Sequence, residues 1–352
     1  MSTLTQFDDL LKPDGPAALV LREWLMPVEG PDGVLFPATF AAGDGFPGGY
    51  NIDVDPETKK NVALIDSVGS QANRIEPIFK EEKYAKLVPQ IKVKVSDEKE
   101  VTIFDAGHRA GDALLRCSSL DEELQAAFKE VLKGDATRLA KIAPTSLVFG
   151  VWDSRDTQAK LPRVLASTIR AFNVRRLTRG AVYIPPVDYS ALDVFSEEDK
   201  AKAEGDRKSP LAQRGFVHNP ASGSHGGVIA DGGIRRDATL ALAAIRLLHS
   251  GNNEEQTLKL RRYILGLALV AFTYNASGYL RQGCLLVLNP DQPRELVQVL
   301  PDGERKPFDL AHDDAIQFAA VAAEAFGVGE SKTVPFEKKK AKDDVAKAKK
   351  AK

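Results

Sequence analysis

Arginine and lysine side chains interleaved with hydroxyl and amide groups can grip a phosphate backbone, and one segment of this chain concentrates them. Between Lys141 and Arg179 lie Arg155, Lys160, Arg163, Arg170, Arg175, Arg176 and Arg179, against only Asp153 and Asp156. Ser154, Thr157 and Gln158 add neutral donors in the same stretch. The two aspartates have the residue type for metal or acid–base work, yet Arg155 and Lys160 beside them oppose a cation, so they read as loop-stabilising ion-pair partners. The plain alternative for the arginines is a solvated helix face. Their clustering directly after an apolar run favours binding.

Three further segments compete for function. In DSVGSQANR (66–74), Ser67, Ser70, Gln71, Asn73 and Arg74 stand at the entrance of an expected helix, where free N–H groups and the helix dipole favour an anion. The same pattern fits a simple N-cap at Ser67 or Ser70 with Arg74 solvated. In AGHRAGDALLR (106–116), His108 and Arg109 suit phosphate contact or base stacking, or a structural role. No HExxH and no second His at ligand spacing accompany them, so no metal is expected. In GFVHNPASGSHGGVIADGGIRR (215–236), His218, His225, Arg235 and Arg236 precede Asp237. A His–Asp couple is a recurrent acid–base arrangement, but no GxSxG or other nucleophile signature joins it, and contact of this loop with nucleic acid is the favoured reading. GxxxxGK[ST] is missing, and no GxGxxG opens an expected helix as the dinucleotide fingerprint requires, so no nucleotide cofactor is expected either.

The elements that must position these groups follow from periodicity. Val34 to Ala41 and Val62 to Ile65 read as strands, Ser67 to Phe79 as a helix limited by Pro77, and Ile91 to Val95 with Val101 to Phe104 as a hairpin. Ala110 to Leu115 and Leu120 to Leu132 read as helices, Leu147 to Trp152 as a buried strand, and Leu161 to Phe172 as an amphipathic helix with Arg163, Ser167 and Arg170 outward. A polar insertion is expected over 190–209 and a long Gly-rich hairpin over 215–236. Helices follow at Asp237 to His249, Glu254 to Asn275 and Asp313 to Ala325, with a strand at Cys284 to Leu288. Strands and helices cluster without strict alternation, which predicts an α+β fold.

Composition bounds the rest. The 352 residues are 43% hydrophobic, ample for a core, and are expected to form one elaborated domain over 1–330. From Lys338 to Lys352 there are eight lysines and two aspartates, a net of +6, which leaves −7 elsewhere in a chain whose whole is −1. Affinity for nucleic acid must then come from a focused groove. The low-complexity segment 331–352 is expected to be disordered. Two isolated cysteines, an acidic N-terminal segment without a signal-peptide pattern, and no apolar run of membrane-spanning length predict a cytoplasmic protein that avoids membranes.

Four blocks, LIDSVGSQANRIEPIF (64–79), DAGHRAGDALLR (105–116), KIAPTSLVFGVWDSRDTQAKLPR (141–163) and HGGVIADGGIRRDATL (225–240), resemble the signature of one family. It is the backbone RAMP subunit, of the Cas-seven type, from subtype I-U (I-G) CRISPR effector (Cascade) complexes. The likeness runs in order over residues 27 to 290. It implies a modified RRM-like (ferredoxin-like) palm with inserted finger and thumb lobes, the thumb placed within 190–236. It also implies a non-catalytic subunit that polymerises along CRISPR RNA and presents it to target DNA. The implied partners are further copies of itself, large and capping subunits, and a recruited helicase-nuclease. Ser67, Ser70, Gln71, Asn73 and Arg74 would then lie on guide phosphates. A variable guide requires contacts to ribose and phosphate rather than base edges, and no stacking aromatics of the ordinary RRM kind are evident in the sequence. The competing reading is a metal-dependent ribonuclease of the RAMP superfamily, or another hydrolase, built on His108, His218, His225 and an aspartate such as Asp44, Asp66, Asp105, Asp153 or Asp156.

Overall fold

Residues Ala18–Pro27 alternate between half-buried and buried along their whole length, the two-residue period of a strand with one packed face. In the computed structural model, which describes residues 3–220, 224–275 and 278–350, this strand lies inside a nine-stranded, curled antiparallel sheet. Its principal strands are β1 (Ala18–Pro27), β2 (Asn61–Asp66), β3 (Leu165–Phe172), β4 (Ile234–Ala241), β5 (Cys284–Leu288) and β6 (Glu295–Val299). β1 pairs with β4 on one side and with β5 and β6 on the other; β3 follows β4, and β2 follows β3.

The helices are α1 (Val68–Ile75), α2 (Asp121–Leu132), α3 (Thr145–Phe149), α4 (Glu254–Thr273), α5 (His312–Phe326) and α6 (Lys338–Lys350). α4 opens with Asn253, whose side chain accepts from the Gln256 N–H, and with Glu254 and Glu255 in its first turn. Every residue from Tyr263 to Phe272 is buried. Gly266 lets α4 approach α5 closely, since a Cβ there would sit 2.8 Å from the Ala319 Cα. α1, α3 and α4 pack on the sheet face that carries Leu19, Leu21, Leu165, Ala238 and Leu240, forming the main core. The opposite face carries Arg22 and Trp24 of β1, Arg170 and Phe172 of β3, and Arg235 and Asp237 of β4, all half-buried. Cys117 and Cys284 are buried, and burial pushes the Cys284 thiol up to about 11, as expected for small apolar residues.

The α+β class, the helices at α1, α2, α4 and α5, the β5 strand and the 91–102 hairpin agree with the sequence reading. Several elements differ. Leu147 to Trp152 splits into α3 and a two-residue strand, Val151–Trp152. Leu161 to Phe172 is no helix: its inward residues Leu165, Ser167, Ile169 and Ala171 recur every second position, and the buried Ser167 disguises that period. Asp237 to Ala241 is the second half of β4, and Val34 to Ala41 holds only a bridge at Leu35 and a short strand at Thr39–Phe40.

The Gly-rich segment places Ser224–Ala230 against Val174–Arg179 and then returns through Asp231–Gly233 into β4; its residues 221–223 lie outside the described residues. The polar insertion holds short helices around a small core of Ala203, Ala212 and Val217. The tail expected to be disordered instead forms a strand, Lys332–Pro335, parallel to Ile91–Ser96, and then α6. Val334 is buried there, and Lys332 pairs with Glu123 at 3.0 Å.

Candidate nucleic-acid interface

A groove of about 700 Å³ opens where the segment after Asp105 meets the strand pair Val151–Trp152 and Lys160–Leu161. His108, Arg116, Ser154, Arg155, Lys160 and Arg163 line it, so two of the sequence blocks converge on one surface. The loop between the paired strands is held from within. Asp153 accepts from the Thr157 N–H at 2.8 Å and from the Thr157 hydroxyl at 2.6 Å. Burial pushes the Asp153 carboxyl up, but these hydrogen bonds outweigh it and hold it below the usual carboxylate range. Gln158 donates to the Ser154 carbonyl at 2.8 Å. Thr157 and Gln158, both expected to touch RNA, therefore serve the loop, and Asp153 acts through hydrogen bonds rather than the expected ion pair. Asp156 accepts from Gln125 at 3.3 Å.

With the loop fixed, Arg155 and Lys160 project as exposed cations, and Lys160 lies over the Trp152 ring at 5.3 Å. Trp152 is 56% exposed, a stacking surface that the sequence reading left within a buried strand. Gly150 shapes the entry to this strand at φ +80°, where a Cβ would meet the Arg163 backbone N at 3.0 Å. Arg163 is exposed, and its guanidinium reaches to 3.9 Å from the Cβ position of Gly69, so it links the groove to the start of α1. Burial and then the neighbouring Arg109 charge both disfavour the Arg163 cation, and an anion in the groove would relieve that repulsion.

At the start of α1 the polar residues turn inward. Ser67 caps the helix, its hydroxyl accepting from the Ser70 N–H at 3.2 Å. Asp66, buried, accepts from the Ser70 hydroxyl and the Gln71 amide at 2.7 Å each, from Arg74 at 3.1 Å and from Arg281 at 3.2 Å. The Gln71 carbonyl oxygen accepts from Ser167 at 2.9 Å, Arg236 donates to the same Ser167 oxygen at 3.1 Å, and Arg236 pairs with Glu23 at 2.8 Å. One buried polar chain thus runs from β2 and α1 through β3 and β4 to β1. Gln71 and Arg236, expected to contact RNA, are fully enclosed in it, and Ser70 and Arg74 are engaged by Asp66. Asn73 remains exposed.

Arg109 is enclosed like Arg236, and its burial corrects the expected phosphate contact. It pairs with Glu76 at 2.6 Å and lies 5.4 Å from the Phe149 ring centre. Burial pushes the Glu76 carboxyl up to about 7 against the pull of Arg109. The remaining expected residues stand elsewhere. Arg170 and Arg235 are on the open sheet face, and His225 packs on Tyr50 with ring centres 4.6 Å apart. His218 borders a separate pocket beside Ile184 and Val217. Among the described residues no three His, Cys, Asp or Glu side chains gather as metal ligands, and no helix is long and apolar enough to cross a membrane.

The molecule is an α+β protein with a curled antiparallel sheet and a cationic groove at the side of its helical layer. Residues 19–176, which include β1, α1 and the whole groove, match the family model described as CRISPR-associated protein GSU0053. No curated protein matches the chain.

Proposed function

We propose that this protein is the RNA-binding backbone subunit, of the Cas-seven type, in a subtype I-U (I-G) effector complex. In this reading it stacks in several copies along CRISPR RNA and presents the guide to target DNA. The single observation that carries the reading is the convergence of His108, Arg155, Lys160 and Arg163 on one groove whose other walls are uncharged or engaged. The strand order supports an RRM-like palm. β1, β3, β4 and the β5/β6 pair, in chain order, lie side by side as fourth, first, third and second, with helices on the first and last connections. The family match lends the CRISPR context.

Groove contacts of this kind are sequence-blind, as a scaffold for variable guides requires. Large and capping subunits and a recruited helicase-nuclease complete the assembly in this proposal, and no catalytic step is assigned to the chain. The ribonuclease reading draws less support, because His108, His218 and His225 stand at three separate places.

Binding of a labelled repeat-spacer RNA, followed by anisotropy across a salt series, tests the groove. Replacing Arg155, Lys160 and Arg163 together by Ala is expected to weaken binding and to flatten the log–log salt slope by roughly 0.7 per lost phosphate contact, with the melting temperature unchanged. Unaltered affinity and slope would remove the groove from the proposal.

A further inference from the structure

Trp24 of β1, Arg235 of β4 and Arg170 of β3 stand opposite one another across three adjacent strands on the sheet face away from the helices. The Arg235 guanidinium lies 5.3 Å from the Trp24 ring centre and 5.0 Å from that of Phe172, and the two rings are 6.2 Å apart. Asp237 fixes Arg235 at 2.9 Å, so the planar group is held in place by its neighbours. Arg22 completes the row one step along β1, shared between Asp237 at 3.4 Å and Glu295 at 3.3 Å. Among the described residues Arg170 has only the Thr168 hydroxyl, at 2.8 Å, and is the least engaged cation on the face.

Three flat π or guanidinium surfaces on one half-buried sheet face form a sequence-tolerant stacking platform, because every nucleobase presents a π-face. A cavity of about 480 Å³ adjoins it at the end of β1, lined by Trp24, Met26, Asn289 and Gln292, with Asp32 and the Arg175–Asp231 ion pair at its other side. It combines one aromatic wall with amide side chains that can meet a base edge. Three arginines against the two acids Asp237 and Glu295 leave the face cationic, which favours a phosphate-bearing strand over an acidic protein surface.

We propose that the open sheet face is a second binding surface, for single-stranded nucleic acid, with bases stacking on Trp24, Arg235 and Phe172 and a phosphate meeting Arg170. None of these side chains lines the groove, so this surface goes beyond the groove reading and stands or falls separately.

The chain has two tryptophans, Trp24 and Trp152, so a Trp152→Phe protein reports on Trp24 alone. Titration with a short oligo(U) or oligo(dT) is expected to quench the Trp24 emission. Adding Phe172→Ala and Arg170→Ala should raise the midpoint roughly tenfold. Quenching by either oligomer supports the proposal, and the pair distinguishes an RNA from a DNA strand. Repeating the titration with Arg155→Ala and Lys160→Ala separates the two surfaces: quenching that persists keeps the sheet face whatever becomes of the groove. The proposal is overturned if the oligomer binds by anisotropy while Trp24 emission stays constant, or if no oligomer binds. A change in emission with protein concentration alone would assign the face to a second copy and overturn it too.

Discussion

Arg236 and Arg155 look alike in a sequence and do opposite things in the fold. Arg236 is enclosed and paired with the buried Glu23, whereas Arg155 is exposed at a loop that Asp153 and Thr157 hold rigid. Arg236→Ala removes the buried partner of Glu23 and leaves that carboxylate only the more exposed Arg294 at 3.2 Å, and is expected to cost about 3 kcal/mol in urea unfolding. Arg155→Ala should leave that unfolding curve in place. Glu76 adds a pH signature. Its carboxyl has an ordinary value of 4.5 and is raised to about 7 in the fold, so between those pH values the folded state keeps a proton that the unfolded chain loses. Stability from this group is therefore greatest below about 4.5, falls by up to about 1.4 kcal/mol per pH unit as pH rises to 7, and is level above it. Unfolding midpoints measured from pH 5 to 8 should show this decline, and Glu76→Gln should flatten it.

At the scale of elements, the groove depends on a chain reversal as much as on its cations. Gly150 turns the chain out of α3 into the strand pair that carries Trp152 and Lys160, at a positive φ and with Arg163 and Leu161 atoms within 3.0 Å of any added Cβ. Gly150→Ala is expected to lower the melting temperature and weaken RNA binding together, whereas the groove lysine and arginine variants weaken binding alone.

This is also the scale at which the sequence was hardest to read. α4 and α5 were legible because long apolar runs with capping signals leave little choice. β3 was not, because Ser167 and Thr168 break the apolar alternation, and both are buried within the sheet. β1 escaped for the same reason, with Arg22 and Glu23 set among its apolar residues. The cationic cluster at the 153–160 loop was visible from residue types alone. The division of its neighbours into groove, buried chain and open sheet face depends on pairings across distant strands, which one-dimensional spacing does not carry.

For the whole molecule, a net charge of −1 with a cationic groove fits a subunit whose affinity for nucleic acid is local and accumulates over repeated copies. The tail belongs to that folded body: Lys340 donates to the Ser118 carbonyl at 3.2 Å, and Asp344 of α6 pairs with Arg116 at the groove margin at 3.2 Å. The central claim is that the groove holds CRISPR RNA, and sequencing the RNA that copurifies with the intact protein, expressed beside its CRISPR array, tests it most directly. Repeat-spacer fragments dominating the library, and lost with the Arg155, Lys160 and Arg163 replacements, are the predicted result. A preparation free of RNA, or one whose RNA mirrors bulk cellular transcripts, would contradict the account.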